Sequence, residues 1–299
     1  MYDVIIIGGG PAGITAGIYC KRAGLNVIIF EKETIGGQIA SSPLVENFPS
    51  IKSISGSELA NNLYEQAENL EIPIEIEEVI KIKPGKIKTV ITDYGEYEAK
   101  AIIIATGSKY RLLGLPNEKD FIGKGISFCT SCDGAFYKNK DVAIIGGANT
   151  AVTNALYMSN ICNKVYLIYR GDKLKAEKVL VDKLLDKKNI TILYNTNVID
   201  IIGKEELEKI RIKSLDKEED LSVSGMFVSI GMDAGTNIVK ELLPLDEHNY
   251  ILSSDCSTKE EGILVAGDCR GKELRQLTTA VSDGAIAASK AIKYIENSN

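Results

Sequence analysis

Two stretches of this chain share one design: "DVIIIGGGPAG" at residues 3–13 and "DVAIIGGANTA" at 141–151. In each, an apolar run without polar alternation ends on glycines and leads into a helix-forming segment. Such a run reads as a strand buried on both faces, the mark of a parallel sheet covered by helices. After the first run the helix extends to about Gly24, and "NVIIF" supplies the next strand; after the second, "KVYLIY" does the same. A chain that carries this twice is confined to an α/β fold with two strand–loop–helix–strand units. Its 299 residues suit about two domains.

The first loop places Gly8, Gly10 and Gly13 in G-x-G-x-x-G spacing. Gly8 permits the tight turn, Gly10 lets a pyrophosphate approach the backbone, and Gly13 lets helix and strand pack closely. The helix N-terminus presents its positive dipole end to the phosphates. Glu31, at the end of the second strand, is placed to accept hydrogen bonds from a ribose. Alone the glycines would mark only a tight turn; with strand, helix, strand and acid they predict a dinucleotide site. The second loop reads Gly146, Gly147, Ala148 and Ala151. Between the units lie a strand-rich "AIIIATG" at 101–107 and a linker "SKYRLLGLPNE", whose Leu-Pro pair disfavours helix. A second crossing is expected near "SIGMDAGTN" at 229–237, and "GILVAGD" at 262–268 reads as a buried strand back in the first domain. The expectation is two Rossmann-like dinucleotide-binding domains, residues 1–110 with 236–299 and an inserted 115–232. The segments "GKEELEKI" and "DKEED" read as solvated hairpins and turns.

With 35 basic and 41 acidic residues, net charge −6, the chain is a poor candidate for binding nucleic acid or anionic membranes. No apolar stretch approaches the roughly 20 residues of a membrane span, and the start lacks the basic n-region of a secretory signal. A cytoplasmic location is expected. Of six cysteines, Cys20, Cys162, Cys256 and Cys269 stand alone, and Cys129 and Cys132 form a C-x-x-C followed by Asp133. Such a pair points to redox or metal chemistry. Zinc usually takes four protein ligands; there is no second pair, and the only histidine is His248 in "LDEHNY". Redox is the favoured reading, with no metal. Cys20 and Cys162 read as small buried hydrophobes, while Cys269 sits beside Asp268 in a glycine turn.

"GGGPAG", "GGQ" at 36–38, "VENFP" at 45–49, "ATG" at 105–107, "CTSCDG", "GGANTA", "AGD" at 266–268 and "RQL" at 275–277 follow one another in the order of the low-molecular-weight thioredoxin reductases, which the chain resembles over essentially its whole length. The resemblance implies the flavin disulfide reductase architecture and a homodimeric FAD enzyme that reduces the disulfide of thioredoxin. It implies that Gly8, Gly10, Gly13 and Glu31 hold the adenosine diphosphate half of FAD. Gln38, Asn47, Thr106, Asp268 and Gln276 would lie around the ribityl chain or the isoalloxazine. Cys132 would be the flavin-proximal sulfur, Cys129 the one that attacks thioredoxin, and Asp133 the nearby acid–base group.

The second unit departs from that pattern. NADPH-dependent members usually have glycine at the place of Ala148, a glutamate pair at Thr153 and Asn154, and His-Arg-Arg followed by a further Arg where this chain has Tyr169, Arg170, Gly171 and Lys175. A missing charge-assisted hydrogen bond of roughly 1.5–3 kcal/mol weakens binding about 10- to 150-fold, and Lys175 lacks the planar fork that grips phosphate. In this the sequence is similar to the ferredoxin-dependent flavin thioredoxin reductases, so reduced ferredoxin or flavodoxin is the expected electron donor. Lys109, Arg111, Lys138 and Lys140, or Arg270, Lys272 and Arg275, are the candidate docks for such an acidic protein. An ordinary NADPH- or NADH-dependent reductase and a flavin-dependent dithiol oxidase are the alternatives.

Overall fold

The computed structural model describes residues 1–215 and 217–298. The chain divides into two units, Met1–Lys109 with Asp233–Asn299, and Tyr110–Met232. In chain order the first begins with β1 (Tyr2–Ile7), α1 (Pro11–Arg22), β2 (Val27–Glu31), α2 (Gly56–Asn69), β3 (Ile74–Ile76), β4 (Val79–Lys83), β5 (Lys88–Thr92) and β6 (Glu96–Ile104). The second unit follows with β7 (Ser108–Tyr110) leading in, then β8 (Ile126–Ser127), α3 (Thr130–Asp133), β9 (Asp141–Ile145), α4 (Asn149–Ser159), β10 (Lys164–Ile168), α5 (Lys178–Leu185), β11 (Ile190–Leu193), β12 (Thr196–Gly203), β13 (Leu207–Ser214), β14 (Lys217–Ser222) and β15 (Gly225–Val228). The chain returns through β16 (Met232–Ala234), which pairs with β7, to β17 (Ile263–Val265) and α6 (Leu277–Ser298).

The uninterrupted isoleucine and valine runs form strands because both of their faces are covered. Val4, Ile5 and Ile6 of β1 are fully buried, as are Ile102, Ile103 and Ile104 of β6. Each such side chain contributes roughly 1.5–3 kcal/mol on burial. The first sheet runs β3-β2-β1-β6-β5-β4, with β17 also beside β6. Its β1, β2, β3, β6 and β17 pairings are parallel, and β4-β5-β6 are antiparallel. Helix α1 starts with Pro11 in its first turn, where the absent N–H is no loss. It packs on α6 at Gly284, where an added Cβ would lie 2.3 Å from Ala12 O.

The second unit repeats the plan. Its sheet is β11-β10-β9-β15-β8, parallel throughout. Of the Lys- and Glu-rich segments, "GKEELEKI" runs from the end of β12 into β13, and "DKEED", whose Asp216 lies outside the described residues, continues in β14; β12-β13-β14 form an antiparallel sheet. Ile201, Ile210 and Ile212 go to the core, and pairs such as Arg211 with Asp220 lie on the solvent side. The two glycine loops are anchored alike: the Gly8 N–H donates to Phe30 O at 2.7 Å, and the Gly146 N–H to Ile168 O at 3.0 Å. The residue after each acceptor, Glu31 in one unit and Tyr169 in the other, therefore occupies the same structural position. No described helix is long and apolar enough to cross a membrane.

Candidate functional site

The first glycine loop has three different geometries at its three glycines. Gly8 has φ +114°, and a Cβ there would sit 2.3 Å from Ala105 O. Gly13 has Gly8 O 1.9 Å from where its Cβ would be, so helix and loop touch at that point. A Cβ built at Gly10 would meet nothing nearer than Gly36 O at 4.0 Å. The space a side chain would fill at Gly10 is thus left open at the start of a twelve-residue helix with no acidic residue in its first turn. That is a cradle for a pyrophosphate. Glu31 is held in place by accepting from the Gly9 N–H at 2.7 Å and the Glu33 N–H at 2.8 Å.

The remaining residues expected around FAD share this unit. The Gln38 amide donates to Ser108 O, and Asn47 Nδ2 donates to Gln276 Oε1 at 3.2 Å although the two are far apart in sequence. Thr106 Oγ1 and Asp268 Oδ1 are, among the described residues, two of four buried side-chain oxygens without a hydrogen-bond partner, the others being Asn117 Oδ1 and Ser253 Oγ. Lys272 Nζ lies 3.2 Å from Asp268 Oδ1 as an ion-pair partner. Buried polar atoms left without partners are rare and point to a missing ligand. The open glycine cradle and the Thr106 and Asp268 oxygens fit FAD, a ligand with one pyrophosphate and a polyhydroxyl chain.

A buried carboxylate that sequence reasoning missed supports this end of the unit. Asp283 in α6 accepts, on one oxygen, from the Gly267 N–H at 3.1 Å, Arg270 Nε at 3.2 Å and Lys272 Nζ at 3.0 Å. Its only signal in the sequence is an acid within the small-residue run "AVSDGAIAA". This corrects the expectation that Arg270, Lys272 and Arg275 form a docking surface. Arg270 and Lys272 are nearly buried and committed to Asp283, and Arg275 stacks 3.8 Å from the Tyr250 ring centroid while donating to backbone carbonyls. Buried cations require such partners. In the other proposed group Lys109 pairs with Glu33 at 2.5 Å, and Lys140 lies over the Tyr137 ring.

In the second unit Cys129 and Cys132 are joined by a disulfide, with Cα atoms 5.3 Å apart. Cys129 caps the short helix α3, and the Cys132 N–H donates to Cys129 Sγ at 3.2 Å. Cys129 is half-buried and Cys132 exposed. Asp133 is fixed by Ser127, whose hydroxyl donates to Asp133 Oδ2 at 2.6 Å and accepts from the Cys129 N–H at 3.1 Å. Burial raises the Asp133 carboxyl above its ordinary range, and the Ser127 hydrogen bond opposes this. Ser127 links the sulfur pair to the carboxylate, a role its sequence neighbours do not reveal. The four single cysteines are buried; burial pushes the Cys20 and Cys256 thiols up to about 12, Cys162 to about 11, and Cys269 upward as well. They are poor nucleophiles. His248 is exposed beside Glu247. Among the described residues no group of three or more His, Cys, Asp or Glu could hold a metal ion.

The second glycine loop is furnished differently from the first. Tyr169 stands where Glu31 stands, and its ring lies against two glycines. A Cβ at Gly147 would fall 2.3 Å from the ring, and one at Gly171 would fall 2.7 Å from it. The following segment folds back: the Lys175 N–H donates to Gly147 O at 2.7 Å, and Asn149 and Glu177 exchange hydrogen bonds of 2.8 and 3.0 Å. Arg170 and Lys175 are exposed.

Residues 2–284 match the family described as pyridine nucleotide-disulphide oxidoreductase. The chain is 40% identical over 298 residues to a Clostridium pasteurianum protein described as the 34.2 kDa protein in the rubredoxin operon, covering 98% of this chain and 97% of that one. It is 39% identical over 303 residues to the thioredoxin reductase of Bacillus subtilis, covering 99% and 95%. The crystal structure of thioredoxin reductase from Streptococcus pyogenes superposes with a TM-score of 0.96 at 39% identity, over 99% of both chains.

Proposed function

Because the chain belongs to the pyridine nucleotide-disulphide oxidoreductases, among the thioredoxin reductases, we propose that Cys129 and Cys132 reduce thioredoxin with electrons from reduced ferredoxin or flavodoxin in place of NADPH. The chain is an oxidoreductase and, like its family, an FAD protein. When bound, FAD supplies a centre that accepts electrons singly or in pairs and passes a pair to a disulfide. Gly8, Gly10, Gly13 and Glu31 would hold its adenosine diphosphate half, with Gln38, Asn47, Thr106, Asp268 and Gln276 around the rest.

The chain's own chemistry is at the sulfurs. As the disulfide opens, the Cys132 N–H aimed at Cys129 Sγ favours negative charge on that atom. That thiolate attacks the thioredoxin disulfide, giving a mixed disulfide and one thioredoxin thiolate. Cys132 then attacks Cys129 Sγ, which restores the intramolecular disulfide and releases the second thioredoxin thiolate. Asp133, kept protonated to higher pH by burial, is the proton carrier between these sulfurs and solvent. The Cys129 assignment follows from the resemblance to the thioredoxin reductases; that hydrogen bond supports it, while exposure is greater at Cys132.

The observation that carries the donor reading is the seat of Tyr169. In the first unit a carboxylate stands where the ribose of FAD would lie; in the second the phenol ring of Tyr169, larger than the imidazole usual in NADPH-dependent members, lies against Gly147 and Gly171. The missing arginine at Gly171 is thereby tied to the ring: a side chain there would displace it. The transfer is downhill, since a plant-type ferredoxin near −400 mV and thioredoxin near −270 mV differ by about 130 mV, roughly 6 kcal/mol for two electrons. A second reading, NADPH use through an altered phosphate site, is favoured by the exposed Arg170 and Lys175 beside the second glycine loop. Anaerobic titration of the FAD-loaded protein separates them. Bleaching of flavin absorbance by reduced ferredoxin, followed by thioredoxin thiols, is expected. Rapid bleaching by stoichiometric NADPH or NADH would overturn the donor assignment.

A further inference from the structure

Asn154 replaces an acid of the family pattern, and both the oxygen and the nitrogen of its side chain are hydrogen-bonded. Asn154 Oδ1 accepts from Thr130 Oγ1 at 2.8 Å, and Asn154 Nδ2 donates to Ser229 Oγ at 2.9 Å. Thr130 is the residue directly after Cys129, opens α3, and is only 5% exposed. Ser229 follows β15 and is tied to the central sheet by its N–H to Ile145 O at 2.8 Å. A chain of hydrogen bonds thus runs from the backbone between the two sulfurs, through the middle of α4, to the sheet. We infer that Asn154 is a positioning residue for the redox pair, holding the 129–132 segment in the geometry in which its disulfide closes.

The physical argument concerns the reduced state. Opening the disulfide frees the Cys129–Cys132 segment, and closing it again costs whatever freedom was gained. A segment whose middle is fastened to the sheet gains less, so its two thiols keep a higher effective concentration toward each other. The tether therefore favours the disulfide over the dithiol. An asparagine can do this with one acceptor and one donor, matched to two hydroxyls. The inference rests on Cys129–Cys132 as the working pair and is independent of the electron donor.

The test is the disulfide–dithiol equilibrium of the FAD-loaded protein in anaerobic buffers of reduced and oxidised dithiothreitol. Thiols at Cys129 and Cys132 are counted by alkylation and mass. Asn154→Leu and Thr130→Val are each expected to shift the equilibrium about tenfold toward the dithiol, a potential ~30 mV less negative. The double variant should shift no further than either single one, because both cut the same link. Thr130→Ser, which keeps the hydroxyl, should behave as wild type. If Asn154→Leu does not fold, Thr130→Val and Ser229→Ala carry the test. Shifts under threefold in folded variants, additive shifts, or failure of Thr130→Ser to match wild type would overturn the inference. A wild-type pair that does not open reversibly would instead sink the functional reading it rests on.

Discussion

A Cβ added at Gly10 meets nothing closer than 4.0 Å, whereas one added at Gly13 would fall 1.9 Å from Gly8 O. Two glycines of one motif thereby separate binding from folding. Gly10→Ala is expected to leave the melting temperature of the apoprotein unchanged while raising the FAD dissociation constant at least about tenfold, equivalent to about 1.4 kcal/mol, as read by flavin fluorescence on reconstitution. Gly13→Ala should instead lower apoprotein stability by about 1–3 kcal/mol or more through overpacking, seen as an earlier thermal transition. At Asp133 function and stability oppose each other. Its carboxyl is raised by burial, with Ser127 as the counterweight. A group that binds its proton more tightly folded than unfolded penalises folding as pH rises past the unfolded value of about 3.9. The penalty is complete once pH exceeds the folded value. Asp133→Asn is therefore expected to be more stable than wild type at pH 7, with the gain disappearing below about pH 3.9 in a series of thermal melts. Its thioredoxin turnover should fall by roughly 10²- to 10⁴-fold, the usual contribution of a positioned acid or base.

At the scale of elements, what was legible in the sequence was whatever a short window contains. The buried runs forming β1, β2, β6, β9, β10 and β17 announced themselves because a strand covered on both faces has no polar positions. The segments read as solvated hairpins and turns lie in the β12-β13-β14 meander, and the apolar face carried by Ile210 and Ile212 is what a reading by charge overlooks. Ser127 lies two residues before the cysteine motif, yet its bonds to Asp133 and Cys129 depend on how α3 turns. Asn154 and Ser229 are 75 residues apart, and no window joins them. The same limit hid the seat of Tyr169: sequence shows a lost arginine at Gly171, but only the fold shows that the glycine accommodates the ring. This coupling makes a prediction. Gly171→Arg alone has to displace Tyr169 and should gain little NADPH-driven turnover. Tyr169→His with Gly171→Arg replaces the phenol by the smaller imidazole and supplies a charge-assisted phosphate contact, lowering the NADPH KM by about 10- to 150-fold relative to wild type. A single variant that performs as well as the double one would show that the ring does not guard the site.

On the scale of the whole molecule the question is how a chain of net charge −6 meets an acidic electron donor. At physiological salt the Debye length is about 8 Å, so the net charge is screened and local charge decides the encounter. Arg270, Lys272 and Arg275 are held by Asp283, Tyr250 and backbone carbonyls and do not present a surface. Lys138 and Lys140 remain as an exposed basic pair shortly after α3 in the chain, Lys140 lying 5.7 Å from the Tyr137 ring centroid. Reversing both, as Lys138→Glu with Lys140→Glu, is expected to raise the ferredoxin KM several-fold at low ionic strength, with the difference closing as salt is added. The rate at saturating ferredoxin should stay unchanged, because these lysines steer the encounter and touch neither the disulfide nor the flavin residues. A flat KM across the salt series would remove this pair from the donor's path. The thioredoxin KM, measured on the same variant, then decides how the two partners share the enzyme. If it rises in parallel, donor and acceptor meet one surface and must alternate. If it is unmoved, they dock separately, and electrons can enter while thioredoxin is still bound.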